Sequence, residues 1–468
     1  MIKSNKIPIL FFIMNFLSIA LSIIFAFSNT DSYFKYIALL PLFFTFISIL
    51  NYKVYSAFFK KISITLIIIC YYFRMVILPA VSSFYNFDSL IRNNNYLNSI
   101  SHSVFLMIYE FFIVLFFCNI ILKKNDNVEI KKNCKGKNEE IDFTKNKLVI
   151  FIVTILTLVL VLMIFLYPSF KSYFRFSFEG NINNINLANV NYFNMKNTIP
   201  KIIYWLTIYI INILQILIPI SLLDIIYRKK INENKKFVLS IIIAILVVLI
   251  STPERARSII ISMSLLLLII KLYQNKNKIL IYLIIAICLF LMFGALIFKS
   301  GNSFSNTNLS SILQAYFSGV TNVSVTFLMP DRFNLKILFN DFCTSIPFFS
   351  AFFKNWDTSV KIFNNILYAK SGNSDQIIPM IGQGMYYFGV MLSPVISLIS
   401  VNFAIKCEKK YEKTKNIYLK YLYIYMVIYL SVAPILYNGT ILLQCFLQTF
   451  LPCLFIVKFS LKKVRKAS

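Results

Sequence analysis

Eight of the 47 basic residues are arginine and 39 are lysine, so each arginine in this 468-residue sequence departs from the chain's own habit. A guanidinium is a planar fork that pairs bidentately with phosphate or carboxylate and keeps its proton, whereas the lysine ammonium is a point charge. Arg74 follows Lys61 by 13 residues within an apolar run, which places it roughly 20 Å up a helix from the lysine end. A charge at that depth in hydrocarbon needs a partner or a water-filled cavity. The sequence Pro253-Glu254-Arg255-Ala256-Arg257 joins two apolar segments, each giving roughly 22 Å of helix, so this turn is predicted to sit recessed at a similar height. Three arginines at one depth repel one another unless an anion joins them, and Glu254 offsets one charge at most. Such a set suits a diphosphate headgroup. Snorkelling of Arg74 to the headgroups, and an interfacial anchoring role for Arg255 and Arg257, are the plainer alternatives. Arg92, Arg175 and Arg332 read as surface charges.

Other chemistry is sparse. The one histidine, His102, stands at the entrance to an apolar run and reads either as a helix-cap residue or as a general base; a Ser/His/Asp triad or a His-rich metal site has no support. There is no Cys-x-x-Cys, P-loop or glycine-rich dinucleotide motif, and ten glycines leave little room for one, so neither a metal nor a cofactor is expected. Glu110 and Asp224 are acids within apolar runs. Glu110 is placed to pair with a recessed arginine, and Asp224 to form a local i,i+4 pair with Arg228. Seven further carboxylates could act as a general base: Asp88, Glu179, Glu254, Asp331, Asp341, Asp357 and Asp375. Spacing does not choose among them, although Asp375 sits in a distinctive string that runs from Asn373 to Gly389. In that string Gln376 and Gln383 offer amide groups for sugar hydroxyls, and Pro379 with three glycines permits close backbone approach and a locally broken helix. A capped helix start explains the same residues without any ligand.

The elements that would hold these groups are membrane spans. Apolar residues make up 58% and charged residues 14% of the chain, against roughly 45–50% and 25% in soluble domains. The net charge of +29 does not mark a nucleic-acid surface, because the basic residues fall in short clusters between apolar runs. About twelve such runs approach the roughly 20 residues needed to cross a bilayer. They lie near 8–27, 33–50, 62–81, 103–122, 148–167, 202–226, 237–251, 257–270, 279–298, 381–405, 417–436 and 440–457. With a cytoplasmic N-terminus, 32 of the 47 basic residues fall on the inner side, only two of them arginine, which predicts both termini in the cytoplasm. The expected organisation is an N-terminal membrane domain over 1–298, a large extracytoplasmic loop over 299–380 and a C-terminal membrane segment over 381–468. Loops of that length are usually functional or disordered. This one alternates apolar and polar residues and then turns aromatic around Trp356, which predicts short interfacial helices on the outer leaflet. No internal repeat is evident, which weakens an inverted-repeat transporter reading.

Arg74-Met75-Val76-Ile77-Leu78-Pro79 in an early span, the long late loop, and Asp375-Gln376-Ile377-Ile378-Pro379 followed by Ile381-Gly382-Gln383-Gly384 and Tyr387-Phe388-Gly389 together resemble the Wzy-type repeat-unit polymerases of bacterial surface polysaccharide assembly, the O-antigen and capsule polymerases. The likeness in topology covers nearly the whole chain, and the string is its specific part. The resemblance implies an all-α polytopic, metal-independent glycosyltransferase of the GT-C type in the cytoplasmic membrane. It would transfer a growing glycan from undecaprenyl diphosphate to an incoming lipid-linked repeat unit on the outer face. By that analogy Arg74, Arg255 and Arg257 bind the diphosphate, and Glu254, Asp375 or His102 takes the acceptor proton. Gln376, Gln383, Tyr386, Tyr387 and Trp356 would contact the glycan. Implied partners are the bilayer, the undecaprenyl-diphosphate-linked oligosaccharide, a flippase and a chain-length regulator, with no nucleic acid. A lipid-linked oligosaccharide flippase and a glycan ligase are the competing expectations.

Overall fold

The computed structural model describes residues 6–28, 33–58, 60–85, 87, 91–129, 147–167, 175–176, 198–251, 255–273, 309–330, 333–346, 356–369 and 376–467. Seven helices among them are long and apolar enough to cross a membrane: Pro8–Phe27, Ile62–Ser83, Asn94–Lys124, Lys147–Leu166, Ile202–Arg228, Ile417–Leu436 and Gly439–Lys462. Two further helices, Met380–Leu392 and Val395–Lys413, are apolar enough when taken together and meet at a bend of 104°. The chain is therefore an α-helical, multi-pass membrane protein. The runs at 33–50, 237–251 and 257–270 form shorter or charge-bearing helices, Lys35–Leu50, Glu233–Leu249 and Arg255–Leu272. The run at 279–298 lies outside the described residues.

The chain divides into two compact units. The first comprises Met1–Lys137, Asn306–Glu408 and Val427–Leu443. Its core joins Phe44, Tyr71, Met75 and Phe111 from the early helices to Val323, Met385 and Tyr386 from the later ones. The helix that opens at Ile62 starts on a carboxylate: Glu408 accepts from the Ile62 and Ser63 amides and from the Ser63 hydroxyl. A carboxylate there satisfies orphan N–H groups and meets the positive end of the helix dipole. Eleven residues later the helix widens into a π-turn, Phe73–Ile77, with Arg74 inside it. Inserted turns of this kind rotate one side chain out of the helical register, and they are frequent at functional sites.

The segment 309–368 is helical in short pieces, as the sequence predicts, but its first two helices do not lie along a surface. Every residue of Val320–Thr326 is buried, and six of Leu309–Tyr316 are. Leu309–Tyr316 packs on Leu78–Ser83, and Val320–Thr326 packs on the Ile100–Glu129 helix. Their Ser, Thr, Ala and Val side chains are small enough for close backbone approach, which is how helices associate where no hydrophobic force distinguishes protein from lipid.

The second unit comprises Asn138–Ser305, Lys409–Met426 and Gln444–Ser468. Thr198–Arg228, with Pro219 inside it, packs against Lys147–Leu166 and Glu233–Leu249. Arg175–Phe176 pairs antiparallel with Ile250–Ser251. Near its end, Asp224 holds Arg228 in a bidentate pair at 2.9 and 3.0 Å, the local i,i+4 arrangement its spacing predicts. Tyr418 also donates to Asp224 Oδ2, at 3.2 Å.

Candidate active site

Within the first unit Arg74 is 1% exposed, a buried cation in an apolar span. Nη1 donates to Glu110 Oε2 at 2.7 Å, and Nε donates to the Ser318 carbonyl at 2.9 Å. Ser397 donates to the other Glu110 oxygen at 2.5 Å, so both partners of the ion pair are held from a second side. Breaking such a pair by removing one member would leave an uncompensated buried charge, at a cost of about 3–5 kcal/mol. Nη2 has no hydrogen-bond partner among the described residues, whereas the Tyr71 hydroxyl, one turn before it, stands beside Glu110. Buried donors are almost always satisfied, so the spare Nη2 is an exception that calls for an explanation.

A second polar cluster in the same unit ties the short helices of 309–368 to the bent pair Met380–Leu392 and Val395–Lys413. Asp341, on Leu335–Ser345, accepts from the Tyr387 hydroxyl, and the Ser359 amide lies 3.2 Å from both of its carboxylate oxygens. Gln383 Nε2 has three acceptors at 2.8–2.9 Å, the hydroxyls of Tyr387, Ser359 and Thr440, while its Oε1 receives the Gly439 amide at 2.7 Å. Two N–H bonds serve three acceptors, so the hydroxyls share them. Burial lifts the Asp341 carboxyl above its ordinary value, and the hydrogen bonds from Ser359 and Tyr387 pull it back in part.

Within the distinctive string a helix opens at Met380 and breaks at the last glycine, Gly389. Gly389 has φ +77° and ψ 177°, and a Cβ there would lie 2.3 Å from the Phe333 ring. The break frees the Tyr386 carbonyl, which takes the Phe333 and Asn334 amides at 3.1 and 3.3 Å. Before the bend, the Gly384 backbone passes so close to the Ser393 carbonyl that a Cβ would sit 2.1 Å from its oxygen.

No family model, curated protein or solved structure matches the chain. The site is therefore read from geometry. Gln383, Tyr386 and Tyr387 are buried, with the amide and the Tyr387 hydroxyl directed into the Asp341 cluster. Gln376 and Trp356 are half-buried. The Gln376 backbone is gripped by Asn364, which accepts from its amide at 3.0 Å and donates to its carbonyl at 2.9 Å. Trp356 stands against Phe339, ring centres 6.2 Å apart. His102 lies in the first turn of Ile100–Glu129, exposed, with its ring 5.7 Å from Phe327. It belongs to neither polar cluster. Arg257, in the second unit, is buried and donates to Asn212 at 2.6 Å. Arg255 opens that same helix, but its side chain, like all of Glu254 and Asp375, lies outside the described residues.

Sequence reasoning singled out Arg74, Glu110, Gln383 and Tyr387, and left Asp341 as one of seven carboxylates. Ser359, Ser318, Ser397 and Thr440 carry no signal of their own: hydroxyls and carbonyls of this kind are common, and only the fold turns Ser318 and Ser397 toward the Arg74–Glu110 pair and Ser359 and Thr440 toward Gln383. Among the described carboxylates of that set, Asp357 is exposed and paired with Lys361 at 3.1 Å, which leaves Asp341 as the buried one.

Proposed function

We propose that the protein polymerises lipid-linked oligosaccharide repeat units, as a metal-independent glycosyltransferase of about twelve spans and GT-C-like build, in the bacterial cytoplasmic membrane. The growing glycan would pass from its undecaprenyl diphosphate carrier to an incoming repeat unit on the outer face, both termini being cytoplasmic. The observation that carries this reading is the Arg74 guanidinium. It is buried in an apolar span and fixed through Nε and Nη1, with two N–H bonds of Nη2 left unmade. A donor held rigid before charge develops stabilises a leaving diphosphate at little reorganisation cost in a low-dielectric site. Glu110 steadies the fork without using it up.

By the resemblance, Arg255 and Arg257 would bind phosphate, and Glu254, Asp375 or His102 would take the acceptor proton. Half-buried Gln376 and Trp356 suit the glycan contact, while Gln383, Tyr386 and Tyr387 back them from within. A gene deletion tests the function directly. Surface glycan from the deletion strain, separated on a gel, should collapse from a ladder to single repeat units. Intermediates trapped on the cytoplasmic face would instead identify a flippase.

A further inference from the structure

One face of the Ile100–Glu129 helix is uncovered along its length. Phe105, Phe112, Phe116 and Ile120 recur at steps of seven, four and four residues and are each between 37% and 53% exposed. At one end of this stripe the chain opens into a groove of about 470 Å³, lined by Ser99, His102, Phe105, Leu106 and Tyr109, with Phe327 and Val390 opposite. That volume falls within the roughly 300–1,000 Å³ of small-molecule sites. The lining holds no lysine, arginine or carboxylate. Its two free polar groups, Ser99 and His102, sit one turn apart at the helix start, and the Tyr109 hydroxyl is already bound to the Met391 carbonyl at 2.8 Å. Beyond Val390 the wall continues as Met391 and Leu392, which are 84% and 55% exposed. The groove thus has a polar end and runs without a rim into apolar surface of a membrane span. That is the shape for a chain with a headgroup, since a compact polar solute would find no charge to hold it and no wall to enclose it.

We propose that this groove holds the hydrocarbon chain of the lipid-linked substrate, with Ser99 and His102 at its headgroup end; the identity of the lipid rests on the function proposed above. Full-length protein is placed in nanodiscs of phosphatidylethanolamine and phosphatidylglycerol and irradiated with a prenyl diphosphate carrying a diazirine on its chain. Labelled peptides are read by mass spectrometry. Label is expected on 99–109 and around 327 and 390. Val390→Trp, which fills the groove from an exposed position, should lower that label roughly tenfold. Val390→Ala, which leaves room, should keep it, and both variants should unfold at the native midpoint. Label absent from these segments, label undiminished in Val390→Trp, or equal label from a diazirine phospholipid would each overturn the assignment. The glycan gel reads a different quantity. A labelled groove in a protein whose deletion leaves glycan length unchanged would end the polymerase reading and leave the groove standing.

Discussion

Arg74 and Glu110 are each other's solvation in a segment that offers no water, which makes their substitution informative only when charge is conserved. Arg74→Ala would strand a buried carboxylate, and loss of function would then report misfolding. Arg74→Lys keeps a cation beside Glu110 but loses both the Ser318 bond and the spare Nη2 donor. Removing one preorganised donor to a developing anion typically costs roughly a hundredfold in rate. Glycan ladders from membranes carrying Arg74→Lys should therefore shorten at unchanged protein level; chains extended at the native rate would take Arg74 out of the site. Asp341 makes a prediction of another kind. Its folded carboxyl titrates above the ordinary value of 3.8, chiefly through burial. The neutral form is thus favoured by folding, and the stability it contributes is full below that ordinary value and drains away as pH rises through the raised one. Asp341→Asn cannot ionise, and with its oxygen in the Oδ2 position it still accepts from Tyr387 and Ser359. Any cost of the amide is constant with pH. Thermal unfolding from about pH 4 to about pH 7 should show the variant gaining on the native protein as pH rises, and parallel curves would mean that Asp341 ionises freely in the fold.

At the scale of elements, the bent helix pair is the feature on which the Asp341 cluster depends, since Gln383 and Tyr387 lie on its first half and the bend follows them. Gly389 occupies a backbone region that is essentially closed to residues with a Cβ, at a cost of about 1–3 kcal/mol. Gly389→Ala should lower the unfolding midpoint in detergent through both this strain and the Phe333 ring. Adding Phe333→Ala removes only the ring, so it should restore part of the loss; full restoration would show that the backbone conformation costs nothing. The glycines of this stretch were visible in the sequence as a place where a helix could break, and seven of the twelve apolar runs as helices long enough to span. What the sequence did not carry was the fate of 309–326. Its alternation of Ser, Thr, Val and Leu looks like an interfacial surface when read alone, and becomes core only because the Ile62–Ser83 and Ile100–Glu129 helices cover both sides of it. Arg74 was legible because a cation is costly in an apolar run wherever it ends up. Ser359 and Thr440 were not, because a hydroxyl costs little in either setting.

For the whole molecule, sidedness decides whether any of this chemistry faces its substrate. The basic residues are the only determinant of orientation in the sequence, and 32 of 47 fall on the side assigned to the cytoplasm. Cys134 lies among the lysines between Lys123 and Lys147, on that side, whereas Ser303 lies in the long segment assigned to the other. A membrane-impermeant maleimide added to protoplasts should leave Cys134 unmodified and react with it once the membrane is opened. In a variant that lacks the native cysteines, a cysteine introduced as Ser303→Cys should react in intact protoplasts. The two reporters sit on opposite sides of an odd number of expected crossings, so they must exchange behaviour if the orientation is reversed. Labelling of Cys134 from outside would place the arginine-poor, lysine-rich loops toward the extracytoplasmic space. The lipid-linked repeat unit would then meet the lysine side of the protein, and a polymerase working at the outer face would have to be abandoned, whatever the geometry around Arg74.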